Sequence, residues 1–267
     1  MSEPAVAELL AAAQAAARAA SHLLKTARPH QIRSKSNPRD LVTEWDVRSE
    51  ELIRRVLGER VPGVPVVGEE GGGSAAHDVV SWLVDPIDGT VNFAHGLPIW
   101  SVSIAAVRGT ELLAGVVVAP ALGWWFEATL GGGARDGSGA PLAVSAIERL
   151  EDALLVTGFP YDLATNPDNN LGAWLHLLRT AGSVRRLGSA AIDLCLVASG
   201  QLDGYWEPRL QAWDLAAGAL IAREAGATVT NMAGGPFDPY TGEVAATNGA
   251  IHEGLIVELA RASQSAS

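Results

Sequence analysis

One cysteine among 267 residues leaves an intrachain disulfide without a partner. Cys195 lies in an apolar helical pattern and reads as packed core rather than a reactive thiol, and a reducing, cytoplasmic setting is expected. Basic residues are scarce as well. The 19 Lys and Arg face 30 Asp and Glu, a net charge of -11, and they gather into no stripe, so the electrostatic footprint of a nucleic-acid binder is missing. No run of about 18 apolar residues is present, which excludes a helical membrane span. The opening "EPAVAELLAAAQAAARAASHLLKTA" is broken by Glu, Gln, Arg and His too often for a signal-peptide core and predicts an Ala-rich amphipathic helix. Internal repeats and low-complexity linkers are absent, and the six histidines have no metal-ligand spacing.

Apolar residues make up 48% of the chain, enough to bury a large core as one domain or two closely packed lobes. Helical periodicity covers about 4–27 and 43–60, joined by the polar loop "RPHQIRSKSNPRD". Short β-branched or aromatic runs follow: "VPVVGEE", "SWLVD", "WSVSIAAV", "ELLAGVVVAP" and "GWWFEAT". Their close succession predicts an antiparallel or mixed sheet. The second half alternates strand-like "ALLVTGF", "SVRRLG", "LDGYWE" and "ATVTN" with helical patterns near 168–181, 189–199, 213–225 and 250–263. The expectation is a layered α/β protein with an N-terminal α+β lobe over 1–147 and a C-terminal α/β lobe over 148–267.

The acidic residues stand at the ends of elements. Glu69 and Glu70 end "VPVVG", Asp85 and Asp88 end "SWLV", and Asp214 opens the helical "DLAAGALIAREAG". Enzymes of this class build sites from such ends. Each alone is equally a turn residue, a helix cap or a solvated glutamate. Together, oxygen donors without His or Cys call for a hard cation, Mg²⁺ before Mn²⁺. Pro86 fixes the turn that aims Asp85, and the Ile87 carbonyl is free to act as a further ligand. Gly89 admits a ligand close to the main chain, and Asp88, Gly89 and Thr90 predict a helix start whose N–H groups suit phosphate oxygens. A cation plus a phosphate answers the uncompensated charge of "DPIDGT".

"DPIDGTVNFAHGLP", together with "GEE", "KSNPRDLVTEWD" and "WDLAAGALIAREAG", closely resembles the inositol monophosphatase family of Mg²⁺-dependent, lithium-sensitive phosphatases, from about residue 30 to the C-terminal helix. The resemblance implies a layered αβαβα fold, a homodimer and a phosphomonoesterase that needs two or three metal ions. It implies Glu69, Asp85 and the Ile87 carbonyl as ligands of a first metal, and Asp85, Asp88 and Asp214 as ligands of a second. Glu69 and Thr90 would activate the attacking water, and main-chain N–H groups at Gly89 and Thr90 would hold the phosphate. Lys35 lies on the family's mobile loop near the metals, with Asp40, Thr43, Asp46 and Glu70 in support. The glycines after Glu70 predict a loosely held segment there.

Substrate choice is expected in the second lobe, where "LGSAAIDL" and "YWEPRLQAWD" resemble the segments that contact the alcohol portion, through Gly188, Ser189, Ala190 and Glu207. "GFPYD" either lines this pocket or is core. His95 is given no catalytic part. The implied substrate is inositol monophosphate or a related polyol or sugar phosphate; histidinol phosphate, fructose 1,6-bisphosphate and adenosine 3′,5′-bisphosphate are the alternatives within the superfamily. Two further readings are a haloacid-dehalogenase-like phosphatase with an aspartyl nucleophile, which the three-residue Asp spacing disfavours, and a non-catalytic metal-binding or regulatory module. No membrane or nucleic-acid partner is expected.

Overall fold

A computed structural model describes residues 4–74 and 76–265 of the chain. Helix α1 (Val6–Leu24) turns a stripe of alanines and leucines inward, as its periodicity predicts. Strands β1 (Ile32–Ser34) and β2 (Leu41–Thr43) then pair as a narrow antiparallel ribbon before α2 (Glu44–Arg60). This ribbon replaces the predicted polar loop. Its first strand is wholly exposed, so no buried face marks it in the sequence, and Lys35 N–H closes the turn on the Asp40 carbonyl at 2.8 Å.

The first large sheet contains β3 (Val66–Gly68), β4 (Val80–Asp88), β5 (Ser101–Arg108), β6 (Glu111–Ala119), β7 (Trp124–Thr129) and β8 (Gly133–Asp136), in that order, with a short α3 (Thr90–His95) between β4 and β5. Only β3 and β4 run parallel. Alternate residues serve opposite faces: Trp82, Val84, Ile104 and Val116 pack under α1 and α2, while Leu83, Ala105 and Val117 face the other way. Both faces are covered, which is why β4 is buried along its whole length.

The second sheet is drawn from β9 (Leu154–Thr157), β10 (Ser183–Arg185), β11 (Gly204–Glu207), β12 (Thr228–Thr230) and β13 (Val244–Thr247), arranged β10-β9-β11-β13-β12. The sequence reading lacks β8 and β13. "VAAT" carries two alanines, poor strand formers, and owes its extended form to antiparallel neighbours on both sides. Helices α5 (Ala190–Ala198) and α6 (Ala212–Glu224) lie between the sheets, and α4 (Leu171–Thr180) and α7 (His252–Ser265) cover the far face. The layers are therefore α1/α2, six strands, α5/α6, five strands and α4/α7, an αβαβα sandwich. Small residues on α6, among them Ala216, Ala217 and Gly218, permit its contact with both neighbours; a Cβ on Gly218 would come within 2.8 Å of Leu194.

Candidate active site

Strand β4 delivers the first carboxylates through a defect. Asp85 pairs with Ser103 and Asp88 with Ser101, so three steps on β4 oppose two on β5 and one residue is extra. Pro86, which has no N–H to give a ladder, falls in this bulge. Asp85 is 2% exposed and accepts from Ile87 N–H at 2.9 Å; Ser49 Oγ on α2 donates to the Pro86 carbonyl at 3.2 Å. Asp88 accepts from Ser189 Oγ at 2.5 Å, Ala191 N–H at 2.8 Å and Ala190 N–H at 3.3 Å. A carboxylate thus caps α5 from another sheet, favoured by the helix dipole. Ser189 and Ala190 line the cleft, and their polar groups are directed to Asp88.

Asp214 enters from α6, where its Oδ2 accepts from Gln211 N–H at 2.7 Å in a capping box. Glu69 and Glu70 follow β3, and Lys35 Nζ bridges them, 2.7 Å from Glu69 Oε1 and in direct contact with Glu70. Asp40 shares this wall of the cleft and binds Ser36 within its own loop. Thr43 caps α2 and forms a capping box with Asp46, whose other oxygen accepts from Thr90 Oγ1 at 3.0 Å. The same hydroxyl lies 2.9 Å from the Ile87 carbonyl. Thr90 is thereby oriented by a fully buried acid on one side and the candidate ligand carbonyl on the other.

Gly89 adopts a left-handed φ of 91°, and a Cβ there would come within 2.9 Å of the Gly188 carbonyl. Only glycine allows the start of α3 to lie against the Gly188–Ser189 segment. Asn92 secures the junction, donating to the Ile99 and Leu187 carbonyls at 2.7 and 2.8 Å. At the far end, Glu207 is buried at the tip of β11, accepts from Tyr205 OH at 2.8 Å and sits tightly against Gly158, where any side chain would collide with it.

Of these groups, Lys35, Asp40, Glu69, Asp85, Ile87, Asp88, Gly89, Thr90, Gly188, Ser189, Ala190, Glu207 and Asp214 line one cleft of about 450 Å³ with Arg186, Arg209 and the 158–162 segment, while Thr43, Asp46 and Glu70 stand outside its lining. Phe159 meets Trp174 edge-on, while Tyr161 is 45% exposed, so "GFPYD" lines the pocket and one of its rings also packs. His95 is exposed at the end of α3 and is not among the lining residues. Sequence reasoning missed Asn92, Arg186 and Arg209. Arg209 gives a local signal only in retrospect: it holds a φ of 63°, rare for a side-chain-bearing residue, and donates to Asp162 at 3.2 Å across the mouth.

Electrostatics identify what the cleft lacks. Burial first, then Glu69, Asp88 and Asp214, push the Asp85 carboxyl well above the usual carboxylate range; Asp214 is raised by burial, Glu69 and Asp88. Burial also raises Asp88 and Glu69, against the hydrogen bonds of Ser189 and the charge of Lys35 respectively. Burial works against the Lys35 ammonium, yet Glu69 and Glu70 hold its pKa above the ordinary lysine value. Like charges crowded out of water favour a further cation, and an all-oxygen donor set suits a hard one. Among the described residues, no three such side chains are gathered closely enough to hold an ion as they stand. The fit is one of chemistry and placement, with Lys35 as the local counter-charge.

The sequence matches the model of the inositol monophosphatase family over residues 5–265. It is 42% identical over 235 residues to an inositol-1-monophosphatase of Synechocystis sp., covering 88% of this chain and 82% of that protein. Identity to the inositol-1-monophosphatase SuhB of Mycobacterium tuberculosis is 45% over 215 residues, 76% of this chain and 74% of the relative. The solved inositol monophosphatase of Anabaena (Nostoc) sp. superposes with a TM-score of 0.87 at 36% identity, covering 95% of each chain. The chain belongs to the inositol monophosphatase family and is a phosphatase of the phosphoric monoester hydrolase class.

Proposed function

We propose that the protein hydrolyses inositol monophosphate or a related polyol or sugar phosphate, with Mg²⁺ held by Glu69, Asp85, the Ile87 carbonyl, Asp88 and Asp214. The observation that carries this reading is the meeting, in one cleft, of carboxylates from β3, β4 and α6 with the start of α3 and the buried Glu207. Two or three ions are expected, with Mn²⁺ as a substitute. When bound, the ions supply positive charge to the phosphoryl group and acidify water.

The chain's own residues do the rest. Main-chain N–H groups at Gly89 and Thr90 hold the phosphate oxygens at the helix start. Glu69 accepts the proton of the attacking water, and Thr90 Oγ1, fixed by Asp46 and Ile87, orients that water in line with the scissile bond. Glu207 accepts from a hydroxyl of the alcohol portion, and an analogue without that hydroxyl leaves a buried acceptor unpaired and is rejected. Arg186, beside Gly188, offsets the charge of Glu207.

Phosphate release from inositol 1-phosphate, fructose 1,6-bisphosphate, histidinol phosphate and adenosine 3′,5′-bisphosphate tests the proposal, with Mg²⁺, with chelator and with millimolar lithium. Inositol 1-phosphate is expected to dominate and both additions to suppress release. Chelator-resistant turnover defeats the metal reading, and dominance of another substrate defeats the inositol assignment. A homodimer, a cytoplasmic setting and two lobes divided near residue 148 complete the proposal; light scattering tests the first.

A further inference from the structure

The geometry points to Glu50 on α2, with Arg54 one turn later, as the residue that positions the Glu69–Glu70 turn. The inference rests on the reading above that Glu69 belongs to the active site. Glu50 is 2% exposed and lines no part of the cleft. Its Oε2 accepts from Glu70 N–H at 2.7 Å, and its Oε1 accepts from Gly71 N–H at 2.8 Å and from Arg54 Nε at 2.7 Å. Arg54 spans the same turn from outside, donating Nη1 to the Val66 carbonyl at 2.8 Å and Nη2 to the Gly72 carbonyl at 2.7 Å. One ion pair therefore grips the chain before the two glutamates and after them.

The seat is flush. A Cβ on Gly68 or on Gly71 would lie 2.6 Å from the Glu50 carboxylate, closer than any relaxed contact, so Gly71, the first of the glycines that predict a loose segment, instead joins Gly68 in letting the backbone close on a buried acid. A buried carboxylate bonded to two main-chain N–H groups fixes their direction more firmly than water can. The side chains of Glu69 and Glu70 are then presented to Lys35 and the cleft with little freedom to swing. Glu50 touches no reacting atom; it acts through the turn.

The test compares Glu50→Gln and Gly71→Ala with a control, Gly58→Ala, which adds a methyl group on α2 where nothing lies within 4 Å. Glu50→Gln presents an amide to one of the two N–H donors, and Gly71→Ala lifts the turn by setting a methyl group against the Glu50 carboxylate while leaving that carboxylate in place. Three quantities are read: amide exchange at Glu70 and Gly71 in chelator, Mg²⁺ affinity by calorimetry, and kcat and KM for a monoester. Both variants should speed exchange, weaken Mg²⁺ binding by roughly 10- to 100-fold as expected for a residue that orients ligands, and lower kcat with KM little changed. The control should alter none of these. Unchanged exchange in folded variants overturns the inference, as does faster exchange with Mg²⁺ affinity and kcat both retained. If Glu50→Gln does not fold, Gly71→Ala decides. If the wild type binds no Mg²⁺ yet turns over monoester, the metal reading fails while exchange and kcat still judge Glu50.

Discussion

Asp88 serves two structures at once, as candidate ligand and as acceptor for the first N–H groups of α5. In Asp88→Asn an amide would face those donors, at a cost of about 1–3 kcal/mol, and turnover should nearly vanish while the protein still folds. Release within about tenfold of wild type would remove Asp88 from the site. Glu207 is a different case, because the proposed function sets it against the alcohol rather than the phosphate. Glu207→Ala should lower kcat/KM for inositol 1-phosphate by roughly 100-fold or more yet spare p-nitrophenyl phosphate, whose ring offers no hydroxyl; equal losses on both would withdraw its role in recognition. Asp88 was legible in the sequence because it ends a strand-like run, and Glu207 through the resemblance carried by "YWEPRLQAWD". Asn92 was not. An asparagine on a short helix carries no mark of the carbonyl at Leu187, 95 residues away, to which it donates.

Elements bring these residues together through irregularities rather than through regular spans. The extra residue in β4 rotates Asp85 and Asp88 out of strict alternation, and Gly89 then turns the chain into α3. Pro86 and Gly89 marked a turn and the helix start in advance, but not the extra residue in the ladder. Asn92→Ala would leave two part-buried carbonyls without this donor, a loss of about 1–3 kcal/mol and a fall in Tm of several degrees, with Mg²⁺ affinity little affected. A Tm within a degree of wild type would mean that water replaces the amide. Polar elements were the hard part of the reading. The ribbon that carries Lys35 has an exposed first strand and reads as loop, and Glu50, in "RSEELIRR", reads as one more charge on a solvated helix face. Its burial follows from the turn after β3 docking on α2, a tertiary event with no local period.

Across the whole molecule, the buried acids reverse the usual response to pH. Burial pushes Glu207 up to about 7 from an ordinary 4.5 and Asp46 to about 6 from 3.8. Between their unfolded and folded values the native chain binds more protons than the unfolded one, so their stabilising contribution is complete below about pH 4 and is lost as pH rises through 6 and 7. His252, lowered by burial, works against this as a single group. In chelator, Tm should therefore be higher at pH 6 than at pH 8, and Mg²⁺ should narrow the gap by raising the pH 8 value. A Tm that falls on acidification to pH 6 would show that these carboxyls are not strained in the metal-free protein. The layer order was legible only through resemblance; periodicity alone gave strands and helices without saying that α5 and α6 belong between two sheets.

That middle layer has a further implication for engineering. Apolar residues of α6 pack against both sheets, so Asp214 is carried by a helix clamped on two sides, while 158–162, 186–188 and 209–211 form the opposite rim from chain that leaves strands or enters helices. In the proposed function the hydrolytic end rests on packed elements and the selecting end on connecting chain, the two joined where Gly89 meets Gly188 and Gln211 N–H reaches Asp214. Transplanting 158–162 from a relative with another preference, with Leu187, Gly188 and Gln211 kept, is a route to a changed substrate range that leaves those joints in place.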